Sequence, residues 1–154
     1  MVSRSEALRS KTAVITGCNR GIGKAILERF AGEGADVFAA VRKEDSRFMK
    51  FIQKLSRQYQ VDIRPLFFDL RDIHAIREAV LTIRNSKKPI DILVNNAGIG
   101  YNALFQMSST GMLKEVFDVN FHGTFILTQY LSRMMVRQRS GNIINIASTA
   151  GIDG

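Results

Sequence analysis

KTAVITGCNRGIGKAILERFAGEG, residues 11–34, decides the fold. KTAVITG (11–17) is a short apolar run closed by a glycine, the pattern of a buried strand. GKAILERFAGEG carries helical periodicity over roughly 22 to 32, with Gly32 and Gly34 as stop signals. Between them lies TGCNRGIG (16–23), whose Gly17, Gly21 and Gly23 are spaced G-x-x-x-G-x-G. One glycine allows the turn and another allows close backbone approach to a phosphate. The helix that follows supplies free N–H donors and the positive end of its dipole. A tight strand-to-helix turn with no ligand would use glycine as well.

The same alternation continues outward. DVFAAVR (36–42) reads as a second strand, and Phe48, Phe51, Ile52, Leu55 and Tyr59 recur at helical spacing over 46–60. DIRPLFFDL (62–70) reads as a third strand that starts properly only after Pro65. Ile73, Ile76, Val80 and Ile83 mark a helix; IDILVNNAG (90–98) and GNIINIAS (141–148) read as a fourth and a fifth strand. A long helix over roughly 109 to 138 separates these two, with Leu113, Phe117, Thr124, Leu127 and Leu131 as its buried face and Ser109 or Thr110 as its cap. Strands alternating with helices imply right-handed crossovers and a parallel sheet covered on both faces. The expected fold is a single doubly wound, Rossmann-like α/β domain over 1–154, with five strands in the order 3-2-1-4-5.

The composition excludes several classes. With 45% apolar and 23% charged residues, the chain has an ordinary globular balance. It lacks the eighteen or so consecutive apolar residues of a membrane span. The basic start MVSRSEALRSK has no apolar stretch behind it, which argues against a secretory leader. One cysteine, Cys18, allows no internal disulfide and fits a reducing compartment, so a cytoplasmic protein is expected. The net charge of +8 is spread along the chain and is read as solvated helix faces, with part of it serving phosphates on a small anionic ligand. No zinc-finger, RRM or KH pattern supports a nucleic-acid partner. His74 and His122 have no metal-ligand spacing, so no metal is expected.

T-G-x-x-x-G-I-G, then N-N-A-G at 95–98, V-N-F-x-G at 119–123 and I-N-I-A-S at 144–148 occur in one order. In this the whole chain resembles the short-chain dehydrogenase/reductase family, in texture the bacterial 3-oxoacyl-acyl-carrier-protein reductases. The resemblance implies a nicotinamide cofactor held by Gly17, Asn19, Arg20, Gly21, Ile22 and Gly23. It places Asp69 and Leu70 beside the adenine, and Asn96, Ala97 and Gly98 along the ribose. A carboxylate at Asp69 could accept from the adenine amine; Asp69 or Asp72 could equally cap the next helix. Asn95 is expected to brace the sheet through backbone hydrogen bonds. An acidic residue after the second strand would bond the ribose hydroxyls and repel a 2′-phosphate. Here that place holds Arg42, which can pair with such a phosphate, and Arg20 adds a second charge, so NADP is expected over NAD. A solvated surface arginine would leave the choice open.

Asn120 is the odd polar residue on the expected buried face of the long helix, where an amide needs partners. By resemblance it holds a helix bend and a water of the proton relay, while Ser148 donates to a substrate carbonyl oxygen. The family's proton donor is a tyrosine followed four residues later by lysine. Residues four beyond Tyr59, Tyr101 and Tyr130 are Ile63, Phe105 and Met134. The tyrosine-lysine helix is expected a short way past Gly154, so this chain is expected to be the N-terminal part of a carbonyl reductase or alcohol dehydrogenase, inactive alone. The alternative is a dinucleotide-binding or interaction module without chemistry. Self-association through the long helix is a further expectation.

Overall fold

A computed structural model of the chain describes residues 6–148. Five strands, β1 (Thr12–Thr16), β2 (Asp36–Val41), β3 (Ile63–Phe67), β4 (Ile92–Asn95) and β5 (Asn142–Asn145), form one sheet in the order β3-β2-β1-β4-β5. Every neighbouring pair is parallel. Helices α1 (Gly21–Gly32), α2 (Ser46–Tyr59) and α3 (Ile73–Asn85) fill the first three crossovers. The fourth contains a 3-10 turn (Phe105–Met107), α4 (Thr110–Phe117), a π-helical segment (Asp118–Gly123) and α5 (Thr124–Gln138).

Successive side chains of a strand point to opposite faces, and this splits the core in two. Ala13, Ile15, Val37, Ala39 and Val41 meet Leu27, Ala31, Phe48, Ile52 and Leu55 of α1 and α2 on one face. Val14, Phe38, Ala40 and Leu93 meet Ile76, Ile83, Leu127 and Leu131 of α3 and α5 on the other. The crossovers therefore cover both faces of β1, β2 and β4. The carboxyl ends of the five strands share one edge of the sheet.

Sequence expectations for β3 and for the long helix are corrected. β3 begins at Ile63 and includes Pro65, opposite Ala39. A residue without an N–H is tolerated because β3 lies at the sheet edge. The buried face of the long helix starts later than its periodicity predicts. Leu127, Leu131 and Met135 are buried, whereas Leu113 and Phe117 are each 52% exposed. With Phe121 and Phe125 they form an exposed stripe at four-residue spacing. The bend expected at Asn120 is a π segment that widens one turn, but Asn120 is exposed rather than buried. β5 is exposed along its length, Ile143 and Ile144 included.

Candidate functional site

Gly17 leaves β1 with φ +73°, a backbone region that side chains rarely adopt. A Cβ there would stand 2.9 Å from Asn96 Nδ2 and 3.0 Å from the Ala97 Cα. Gly23 is tighter still, because its Cβ would run into the Gly17 carbonyl and Asn96 Nδ2. The turn is therefore folded back on its own helix and clipped to the end of β4. Asn96 Nδ2 donates to the Thr16 carbonyl at 3.0 Å and the Gly17 carbonyl at 3.3 Å. Thr16 Oγ1 accepts from the Asn96 and Ala97 amides at 3.0 and 2.9 Å. Arg20 precedes α1 in extended conformation, and no side chain caps the helix. The first amides of α1, with the positive end of its dipole, are left for a ligand.

Cys18 faces away from this opening. It is fully buried, its Sγ donates to the Ile15 carbonyl at 2.9 Å, and burial pushes its thiol pKa up. A protonated, enclosed thiol is not a nucleophile.

The turn opens into a cleft of about 890 Å³ along the carboxyl edge of the sheet. Gly17, Asn19, Arg20, Gly21 and Ile22 line its centre; Arg42, Asp69 and Leu70 line it beyond β2 and β3; Asn96, Ala97 and Gly98 line it beyond β4. Gly23, Asn120 and Ser148 do not line it. Gly23 lies behind the turn. Asn120 stands at the border: its Oδ1 accepts from the Ile99 amide and its Nδ2 donates to the Ile99 carbonyl, both at 2.9 Å. Its amide thus satisfies both backbone groups of a cleft residue, and Gly98 packs beside it. Ser148 follows Asn145, which pairs with Asn95, so it leaves the same carboxyl edge next to β4; it is exposed.

Asp72, not Asp69, caps α3, accepting from the His74 and Ala75 amides. Asp69 is held instead by Arg71, whose hydrogen bonds keep its carboxyl below the ordinary range; the charges of Arg71 and Arg42 add to the effect. Asn95 also departs from expectation. Its Nδ2 donates to side chains, Thr128 Oγ1 at 2.9 Å and Asn145 Oδ1 at 2.8 Å, and so ties β4 to α5 and β5.

Sequence reading did not single out Thr16, Arg71 or Glu115. Thr16 was visible as the last hydroxyl before the glycine turn. Arg71 was visible as a cation two residues after Asp69, but its pairing with Glu115 on α4 joins residues 44 apart and leaves no local pattern. Among the described residues no group of three His, Cys, Asp or Glu is placed to hold a metal, and no helix is long and apolar enough to cross a membrane.

Comparison with known proteins agrees with this geometry. The sequence model of the family described as short chain dehydrogenase matches residues 11–154. The chain is 37% identical over 147 residues to a 3-oxoacyl-acyl-carrier-protein reductase of Aquifex aeolicus, covering 96% of this chain and 59% of that one. It is 35% identical to an NADPH-dependent 3-dehydrocapnine reductase of Ornithobacterium rhinotracheale, covering 91% of this chain and 50% of the relative. Among solved structures it superposes on the L-sorbose reductase of Gluconobacter frateurii, complexed with NADPH and L-sorbose, with a TM-score of 0.89. Identity there is 30%, over 95% of this chain and 55% of the other. The chain thus spans between half and three fifths of the length of these relatives. The clipped glycine turn, the uncapped helix start and the parallel sheet in this order, together with the match over 11–154, make the chain a member of the short-chain dehydrogenase family of oxidoreductases.

Proposed function

We propose that residues 1–154 form the NADP-binding part of a reductase acting between a carbonyl compound and its alcohol, with 3-oxoacyl thioesters as the favoured substrate class. The observation that carries this reading is the cleft itself. The uncapped start of α1 faces it, and Arg42 lines it at the end of β2, with Arg20 and Lys43. The amides of residues 21–23 would hold a diphosphate; Arg42 would pair with a 2′-phosphate through its planar fork. The glycine positions fit such a ligand, since any Cβ at Gly17 or Gly23 would push the turn off Asn96. The relatives whose names mention NADPH support the phosphorylated form.

When bound, the nicotinamide supplies hydride. The chain's own residues do the rest. Asn120 fixes the Ile99 backbone and with it the wall formed by Ala97 and Gly98. Ser148, at the same edge, would donate a hydrogen bond to the carbonyl oxygen as negative charge develops there. A proton donor is still required. None of Tyr59, Tyr101 and Tyr130 is followed by lysine four residues on. Residues 1–154 alone are therefore proposed to bind the dinucleotide without turning it over.

The same three tyrosines favour a second reading, a dinucleotide-binding module without chemistry. A form of the protein extended through a Tyr-x-x-x-Lys segment oxidises NADPH with a ketone under the first reading and does not under the second. The cofactor assignment is tested by titrating parent and Arg42→Ala with NADPH and NADH. Loss of a charge-assisted bidentate pair raises the Kd for NADPH about tenfold or more and leaves that for NADH unchanged. Equal changes for both nucleotides, or none, contradict the assignment. Self-association belongs to the same proposal: the exposed apolar stripe of Leu113, Phe117, Phe121 and Phe125 would be the surface that meets a second copy.

A further inference from the structure

Two guanidinium groups converge on one phenol where α3 and α5 meet. Arg77 on α3 donates from Nε to the Tyr130 hydroxyl oxygen at 2.9 Å. Arg133, three residues beyond Tyr130 on α5, stands over its ring, with Cζ 5.7 Å from the centroid. Tyr130 is partly buried against the core that Ile76, Ile83, Leu127 and Leu131 form, which fixes the ring between the two helices. Both arginines are exposed.

No counter-charge accompanies them. Among the described residues neither arginine has a carboxylate partner. α5 contains no acidic residue and α3 contains one, Glu78. Glu78 follows Arg77 directly, and adjacent residues of a helix do not face each other. Arg84 and Arg137 follow Arg77 and Tyr130 by seven residues each, so they extend the same positive faces. The donors are unspent as well. The Tyr130 oxygen accepts from Arg77, which leaves its own O–H proton to donate. Both Nη groups of Arg77 and the guanidinium fork of Arg133 make no hydrogen bond among the described residues. Two forks and a hydroxyl suit an oxyanion with several acceptor oxygens and two charges; a carboxylate, with two oxygens and one charge, fills only one fork.

We propose that Arg77, Tyr130 and Arg133 form a second anion site, which takes a phosphate monoester group. The site lies on the helical flank of the sheet. None of its three residues lines the cleft at the carboxyl edge, so the proposal does not depend on the dinucleotide reading given above. A soluble phosphate ester and the headgroup of a phosphatidic acid surface carry the same dianion, and the test separates the two sources.

The test titrates the isotope-labelled 154-residue chain with glycerol phosphate at constant ionic strength. The Arg77 Nε–H, Arg133 Nε–H and Tyr130 amide signals are followed, and they report this site apart from the glycine turn. They are expected to shift together and saturate, while acetate leaves them in place. Arg133→Gln and Arg77→Gln each raise the Kd read at the remaining signals about tenfold, the worth of one charge-assisted pair. Tyr130→Phe keeps the ring beneath Arg133 but removes the hydroxyl and the anchor of Arg77, and it raises the Kd about threefold. Arg57→Gln on α2, across the sheet, removes the same charge and leaves the Kd at the parent value; thermal melts establish that each variant folds. In a parallel arm the chain is sedimented with vesicles of phosphatidylcholine mixed with phosphatidic acid, against phosphatidylcholine alone. Saturation by glycerol phosphate assigns a soluble ester, and binding to the mixed vesicles alone assigns a headgroup; either supports the site if Arg133→Gln weakens it and Arg57→Gln does not. Binding in neither arm overturns the proposal. So do shifts that acetate reproduces, and so does equal weakening by Arg133→Gln and Arg57→Gln.

Discussion

Gly23 and Gly21 stand two residues apart in the same turn, yet the structure assigns them different burdens. A methyl group at Gly23 meets backbone, the Gly17 carbonyl, which has no rotamer to escape into. At Gly21 it meets open space, and the only penalty is a φ of +52°, about 1–2 kcal/mol for an L-residue. Gly23→Ala is therefore expected to abolish NADPH binding and lower the melting temperature, while Gly21→Ala weakens binding about tenfold at most. Calorimetric titration and thermal melts of the two variants check this, and equal behaviour would contradict it. The glycines were legible because spacing alone marks a turn. Their reasons were not: the clip through Asn96 and Thr16 joins residues about 80 apart in sequence.

At the scale of elements, the π segment is the informative departure. Periodicity over 109–138 predicts one helix with one buried face, and resemblance adds a bend at Asn120; the bend is a single wide turn at Asp118–Gly123 that resets the register. Leu113 and Phe117 consequently lie outside the core that Leu127 and Leu131 occupy. Such turns recur at functional sites, and here the turn carries the Asn120 contact with Ile99. Gly123 closes the segment with ordinary helical φ, so alanine would gain about 1 kcal/mol of helix propensity. Its methyl group, however, would strike the Leu70 carbonyl at the cleft. Overpacking costs about 1–3 kcal/mol and outweighs propensity. Gly123→Ala is expected to destabilise the chain in urea titration; a stabilised variant would contradict the packing. Asp72→Ala, which removes the α3 cap, is expected to cost about 1 kcal/mol by the same measurement.

Over the whole molecule, the two edges of the sheet have opposite characters. The carboxyl edge is open, with Arg20 and Arg42 beside the glycine turn. The amino edge is stitched by Lys88, which donates to Asp36 Oδ2 and Asp62 Oδ2 at 2.7 Å each. Burial alone would raise the Asp62 carboxyl, but hydrogen bonds and charge from Lys88 and Arg64 outweigh it and hold the pKa below its ordinary 3.8. Burial alone would lower Lys88, but bonds from Asp36 and Asp62 hold it above 10.5. A depressed carboxyl contributes stability above its unfolded pKa and loses it as pH falls through the folded value. A raised amine contributes below its unfolded pKa and loses it as pH rises through the folded one. The stitch therefore acts between about pH 4 and pH 10. Lys88→Met is expected to lose on the order of 1 kcal/mol at pH 7 and much less at pH 3, read by denaturant titration at both values. An equal loss at both would assign the effect to packing.

The order of strands and the placing of the cofactor turn were legible because buried parallel strands show as apolar runs and crossovers as helical periods. The stitch at Lys88 and the pairing of Arg71 with Glu115 were not, since each joins residues far apart along the chain. What joins all scales is that the amides of residues 17–23 stand at the mouth of the sheet, ready for a diphosphate. The direct measurement is an NMR titration of the isotope-labelled 154-residue chain with NADPH. Amide signals of Gly17 to Gly23, Arg42, Asp69 to Arg71 and Asn96 to Gly98 should shift together and saturate at one equivalent. Signals that stay in place at millimolar NADPH, or shifts confined to residues outside this edge, would contradict the account.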